Sequence, residues 1–168
     1  MAIINDRPGS LQTSLRSYLN SGDMKFLFAF LFITLMSGGT DWLTNFDEAK
    51  RTALQEHKLI LLNFSGSDWC GPCIKMKKEV FENDSFRQLA QEKLVLLRAD
   101  FPRQKKNQLP LDLVAHNEKL ADKYNPDGKF PLTLLLDADG KVVKQWDGYA
   151  FASQDKFITD LKVTLSAR

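Results

Sequence analysis

The only two cysteines of the chain stand three residues apart in Trp69-Cys70-Gly71-Pro72-Cys73. They follow the apolar run Leu59 to Phe64 and precede a stretch of helical character, Ile74 to Phe81. A thiol pair at a strand-to-helix junction constrains the fold more than any other feature of this sequence. A cysteine at the first turn of a helix faces unpaired backbone N–H groups and the positive end of the helix dipole, and both favour thiolate over thiol. Cys70 is therefore expected to be the acidic member. Cys73, one helical turn on, lies on the same face and within reach of a disulfide. Pro72 suits a first turn, where its missing N–H costs nothing.

Other uses of the pair are poorly supplied. Two cysteines cannot staple a disulfide scaffold, and the only histidines, His57 and His116, are far apart in sequence, so a zinc site lacks ligands. The alternatives left open are a pair of buried structural thiols and half a metal site. No metal, no cofactor and no role for either histidine is expected. At 168 residues and 43% apolar content the chain can bury one real core, and a net charge of +2 implies no polyanion, hence no nucleic-acid partner.

The first 39 residues read differently from the rest. Residues 1–23 carry no sustained hydrophobic period and read as an irregular polar lead. Met24-Lys25, the apolar run Phe26 to Met36 and then Ser37-Gly38-Gly39 form a secretory-signal pattern with cleavage expected after Gly39. The run is short for a bilayer span. Signals normally begin near the first residue, which initiation at Met24 would satisfy; a buried helix or an uncleaved membrane-surface anchor is the alternative. The expected division is a lead and signal-like segment, 1–39, and one domain, 40–168. That domain works outside the cytoplasm, periplasmic or secreted, if the segment is a signal, and in the cytoplasm if it is not.

Along that domain, Thr44 or Asn45 can cap a helix from about Phe46 to Glu56. Leu59 to Phe64, interrupted only by Asn63, suits a central strand buried on both faces. A helix from Cys70 to about Glu82 is followed by a second from Phe86 to Glu92, recapped at Asn83-Asp84-Ser85. Leu94 to Asp100 reads as a strand parallel to the first. Phe101 to Asn117 is the least patterned stretch, with Pro102, Pro110 and the basic residues Arg103, Lys105 and Lys106. A helix from Glu118 to Tyr124 follows, then a strand from Leu132 to Asp137 and a turn at Asp139-Gly140 that pairs it antiparallel with Lys141 to Trp146. A last helix runs from about Ser153 to Leu165, burying Phe157, Ile158, Leu161 and Leu165.

The W-C-G-P-C motif, the strand before it, the run Phe130-Pro131-Leu132 to Leu136 and the Asp139-Gly140 turn, in that order, resemble thioredoxin-like proteins over roughly residues 41 to 167. The resemblance implies an α/β thioredoxin fold, a central mixed β-sheet flanked by helices, behind the N-terminal signal-like segment. It implies a thiol-disulfide oxidoreductase with Cys70 and Cys73 catalytic, and substrate contacts at Trp69, Gly71, Pro72, Phe130 and Pro131. Pro131 matches the family's cis-proline, a bend that frees the backbone of Phe130 to pair with an extended substrate. Trp69 is alternatively an ordinary core aromatic.

Asn63 departs from the family, which places a buried aspartate there to move the proton of the second cysteine. An amide cannot ionise. One extra residue before Cys70 reshapes the Ser65-Gly66-Ser67-Asp68 approach, where Asp68 is either a substitute charge near the thiols or a solvated loop residue. Lys75, Lys77 and Lys78 read as a solvated positive helix face.

The partners implied are disulfide-containing proteins and an upstream thiol donor, with a membrane-bound donor among the options, acting on a monomer. The Gly-Pro dipeptide points to reduction rather than oxidation. The rival functions are a disulfide oxidase or isomerase and a non-catalytic binding module on the same fold.

Overall fold

The computed structural model describes residues 41–149 and 154–167. The polar lead, the signal-like segment 24–39 and Ser153, the expected start of the last helix, lie outside the described residues.

Four strands form one mixed sheet in the order β2-β1-β3-β4. Strands β1 (Leu59–Ser65) and β2 (Leu94–Asp100) are parallel, with Asn63 opposite Arg98. Strand β3 (Leu132–Leu136) runs antiparallel to β1, with Asn63 opposite Thr133, and β4 (Val142–Asp147) runs antiparallel to β3. Strands β1 and β3 are the inner pair, and their residues are buried on both faces, which is why they read as apolar runs interrupted only at Asn63 and Thr133. The outer edge of β2 is covered by Leu43, whose N–H donates to Leu96 O and whose carbonyl accepts from Arg98 N–H.

Side-chain alternation along the strands divides the core in two. Ile60, Leu62 and Phe64 of β1 point to the face covered by α1 (Phe46–Glu56) and α4 (Leu111–Tyr124), through Ala49, Ala53, Leu120 and Tyr124. Leu61 and Leu135 point to the other face, covered by α2 (Gly71–Met76), α3 (Asp84–Lys93) and α5 (Gln154–Ser166), through Met76, Phe86, Phe157, Ile158 and Leu161. Asn45, one of the two expected caps, accepts the Glu48 N–H at the start of α1. Gly140 closes the β3-β4 turn at a φ of +85°, with its carbonyl accepting the buried Tyr124 hydroxyl at 2.8 Å. A β-carbon there would meet both Tyr124 Oη and Phe46 Cζ, so the position requires glycine for conformation and for space.

Two helices differ from expectation. The helix after the cysteines does not run unbroken to Glu82: α2 ends at Met76 and a π-turn spans Lys77–Phe81, closed by Glu82 N–H on Lys77 O. The wider turn puts the consecutive residues Val80 and Phe81 both in the core, which a regular helix does poorly. Helix α4 begins at Leu111, seven positions before the expected Glu118, directly after Pro110. Its first turns hid the pattern because Leu111 is 87% exposed and the regular buried stripe begins only at Asn117 and Leu120.

Candidate active site

Strand β1 delivers the chain to a tight approach turn in which Gly66 O accepts the N–H groups of both Trp69 and Cys70. Cys70 is the N-cap of α2, and its sulfur accepts the Cys73 N–H at 3.2 Å. The two sulfurs are joined as a disulfide, with the α-carbons 5.2 Å apart. Cys70 is 4% exposed and Cys73 3%, so burial does not tell the two sulfurs apart; the cap position does. Gly71 and Pro72 are exposed beside them, and apart from the adjoining residues and the helix's own backbone no heavy atom lies within 4 Å of where a Gly71 β-carbon would stand. The surface next to Cys70 is therefore open to a polypeptide backbone.

The Phe130-Pro131 bond is cis, and Pro131 is buried. The residue before each landmark meets its counterpart: the rings of Trp69 and Phe130 are 5.4 Å apart edge to face, and Phe101 lies 5.5 Å from Phe130 in the same geometry. Trp69 is half-buried. Its indole N–H donates to Phe101 O at 2.7 Å, and the Arg103 guanidinium lies over its ring, 3.7 Å from the centroid. It is thus not an ordinary core aromatic but a half-buried wall fixed between two loops.

Asp68 does something neither reading anticipated. Its carboxylate accepts the backbone N–H groups of Arg103 and Gln104 and the Asn107 amide, each at 2.9 Å. It therefore pins the loop after β2 to the approach turn. Asp100 does the converse, accepting Ser67 N–H and Ser67 hydroxyl. The Arg103 N–H, followed by the bonds from Asn107 and Gln104, holds the Asp68 carboxyl below its ordinary value of 3.8. A depressed pKa contributes stability that is complete above the unfolded value and lost as pH falls through the folded one. Asp68→Asn is accordingly expected to lose stability near neutrality and to show a shallower acid-side decline than the wild type in urea midpoints measured from pH 7 down to about 3.

Asn63, 3% exposed, lies on the sheet face covered by α2. Its amide donates to Thr133 Oγ1 at 3.0 Å, and Thr133 Oγ1 lies 3.9 Å from Met76 Sδ. It ties β1 to β3 and carries no ionisable group. Installing a carboxylate there, with Asn63→Asp, is expected to speed release of the second cysteine's proton and so raise the resolution step about tenfold or more. The same change costs about 1–3 kcal/mol of stability through the lost amide donor and carboxylate desolvation. Stopped-flow reduction separates the two steps, and an unchanged second step would refute the assignment.

The expected positive helix face is largely neutralised, Lys77 by Glu82 and Lys75 by Glu79. Glu79 also accepts the Tyr149 hydroxyl at 2.8 Å, and burial together with that carboxylate pushes Tyr149 up to about 12. His116, given no role from sequence, accepts the Phe46 N–H on Nε2 and so helps start α1. Sequence reasoning missed Phe101 and Asp100, whose partners stand some thirty residues away, and Gly66, whose partners Trp69 and Cys70 are close in sequence; the one available signal was a glycine four residues before the first cysteine.

A thioredoxin-like family model matches residues 41–138. The chain is 32% identical over 124 residues to the disulfide bond reductase DsbH of Chlamydia pneumoniae, an alignment spanning 74% of this chain and 72% of that protein. It is 37% identical over 60 residues to the thioredoxin-related protein DsbJ of the same organism, but this covers 36% of the chain and only 17% of DsbJ. Among solved structures, a DsbH oxidoreductase superposes with a TM-score of 0.68 at 29% identity, covering 80% of this chain and 90% of that one. A thioredoxin from Thermus thermophilus superposes with a TM-score of 0.52 at 18% identity, over 69% and 80% of the two chains, a likeness of fold.

Proposed function

The chain belongs to the thioredoxin-like family, and we propose that it works as a reductase of protein disulfides, with Cys70 as the attacking sulfur and Cys73 as the resolving one. That it is a thiol-disulfide oxidoreductase follows from its likeness to the DsbH proteins. The observation that carries the division of roles is the Cys73 N–H directed at the Cys70 sulfur at the helix cap. The same donor that meets a disulfide sulfur here stabilises a thiolate once the pair is reduced.

The cycle balances without a cofactor. Cys70 thiolate attacks one sulfur of the substrate disulfide, forming a mixed disulfide and expelling a substrate thiolate. Cys73, deprotonated, attacks Cys70 Sγ, which frees the second substrate thiolate and closes the Cys70–Cys73 disulfide. The substrate gains two electrons and its two thiolates take up two protons, all from the dithiol. An upstream thiol donor restores the dithiol by the same two exchanges in reverse. Trp69, Gly71, Pro72, Phe130 and Pro131 hold the substrate, the open backbone beside Pro131 accepting an extended segment as an added strand.

Direction and place rest on different grounds. The name of the DsbH relative, a reductase, and the Gly-Pro between the cysteines support reduction. The signal-like pattern of residues 24–39 supports work outside the cytoplasm by domain 40–168. Equilibration with glutathione tests the direction. A potential near about −270 mV is expected, and one above about −180 mV, the value of a disulfide isomerase, overturns the reductase reading.

A further inference from the structure

Resting on that reading, we infer that the enzyme selects its substrates by a side-chain pocket beside the thiol pair, which takes a large apolar residue, preferably aromatic, close to the substrate cysteine. The cleft lies between the approach turn, the loop after β2 and the start of α4, and has a volume of about 570 Å³. That is within the range of small-molecule sites and many times what one water needs. Trp69, Phe101 and Phe130 line one part of it, and Leu109 and Val114 another. Leu111, also in the lining and 87% exposed, extends the apolar surface outward.

Three observations point to a polypeptide side chain as the occupant. The cleft borders the redox site through Trp69 and Phe130, the residues immediately before Cys70 and before cis-Pro131. A substrate strand lying along Phe130 therefore passes the cleft mouth within a residue or two of the cysteine under attack. Next, Asn117, 1% exposed and part of the lining, donates its amide to Asp100 O at 2.9 Å, whereas its Oδ1 has no partner among the described residues. A buried acceptor left so is costly, and because it is sealed from the empty cleft, an occupant's donor satisfies it only by displacing the lining around it. Lastly, the side-chain charge free at the rim is cationic. Arg103 lines the cleft, Lys105 and Lys106 follow on the next turn, and none of the three pairs with a carboxylate among the described residues. Asp68 and Asp100, the acids nearby, already accept N–H and O–H donors from Arg103, Gln104, Asn107 and Ser67. A neutral or acidic neighbour in the substrate is preferred to a basic one.

Short cysteine-free peptides, identical except for Phe, Leu or Ala at one position, test the pocket by calorimetry with the full oxidised chain. The Phe peptide is expected to bind about tenfold or more tightly than the Ala peptide, and a Glu neighbour more tightly than a Lys neighbour, a difference that added salt reduces. Leu111→Ser, at an exposed position that does not threaten the fold, is expected to shrink the Phe-to-Ala ratio, and Val114→Trp, which fills the cleft, to bring it near unity. Equal affinities for Phe and Ala, or a ratio unmoved in both variants, overturns the pocket. Binding of these peptides needs no thiol chemistry. Loss of Cys70-dependent turnover with the preference intact therefore counts against the reductase reading alone, and the reverse result against the pocket alone.

Discussion

Cys70→Ser is expected to reduce insulin-type disulfide reduction by about three orders of magnitude or more, to the background of dithiothreitol, because the variant has no sulfur at the helix cap to attack a disulfide. Cys73→Ser gives a qualitatively different failure. Its Cys70 still attacks, but the mixed disulfide finds no resolving thiol and accumulates as a covalent adduct, visible by mass spectrometry as one substrate per chain. The asymmetry follows from geometry rather than from exposure, since both cysteines are almost equally buried. Cys70 receives an N–H from the first turn of α2 while Cys73 sits within that turn and supplies it. Equal trapping by the two variants would mean that the cap does not distinguish the sulfurs, and the division of roles would fall. Undiminished reduction by Cys70→Ser would leave only a binding module on this fold. The trapped adducts also identify the substrates, and exported clients are expected among them.

The parts of the fold legible from the sequence are those whose cause is local. Strands β1 and β2 are mainly apolar runs, interrupted at Asn63 and Arg98, because both of their faces are covered, and α1 announces itself through Asn45 and the acidic residues Asp47 and Glu48 of its first turn. The cis bond at Pro131 was implied only by resemblance to the family and is present in the structure. What escaped depends on partners distant in sequence. Asp68 binds backbone N–H groups 35 and 36 residues away, and backbone donors leave no signature in residue type. Trp69 could not be placed between contact surface and core because its fate is set by Phe101 and Phe130, across two loops. The first turns of α4 were obscured for a related reason: their apolar residues line a cleft rather than the core, so they lack the period that burial imposes. The stretch with the weakest pattern is thus the one that builds the wall beside the cysteines.

That wall depends on the absence of a side chain at position 66. A β-carbon on Gly66 would overlap the Trp69 indole, at 2.6 Å from both Cζ2 and Nε1 and closer still to Cε2. The ring cannot simply yield, because its N–H is bonded to Phe101 O at 2.7 Å and its edge and face are held by Phe130 and Arg103. Nor can the backbone, whose Gly66 carbonyl accepts both Trp69 and Cys70 N–H groups. Gly66→Ala must therefore expel the indole. Overpacking costs about 1–3 kcal/mol and the lost hydrogen bond about 1 kcal/mol, so an overall destabilisation of about 2–4 kcal/mol is expected in urea unfolding, with a changed near-ultraviolet circular dichroism signal. Because Trp69 is joined to Cys70, kcat/KM for protein disulfides is expected to fall about tenfold as well, through mispositioning of the sulfur and its substrate. The origin of the penalty can be checked by a double-mutant cycle: with Trp69→Ala already in place, Gly66→Ala meets no ring and should cost little. A coupling of about 2 kcal/mol between the two positions is the expected result. Additive effects would locate the penalty in the backbone of the approach turn and remove the indole from the account of how the site is held.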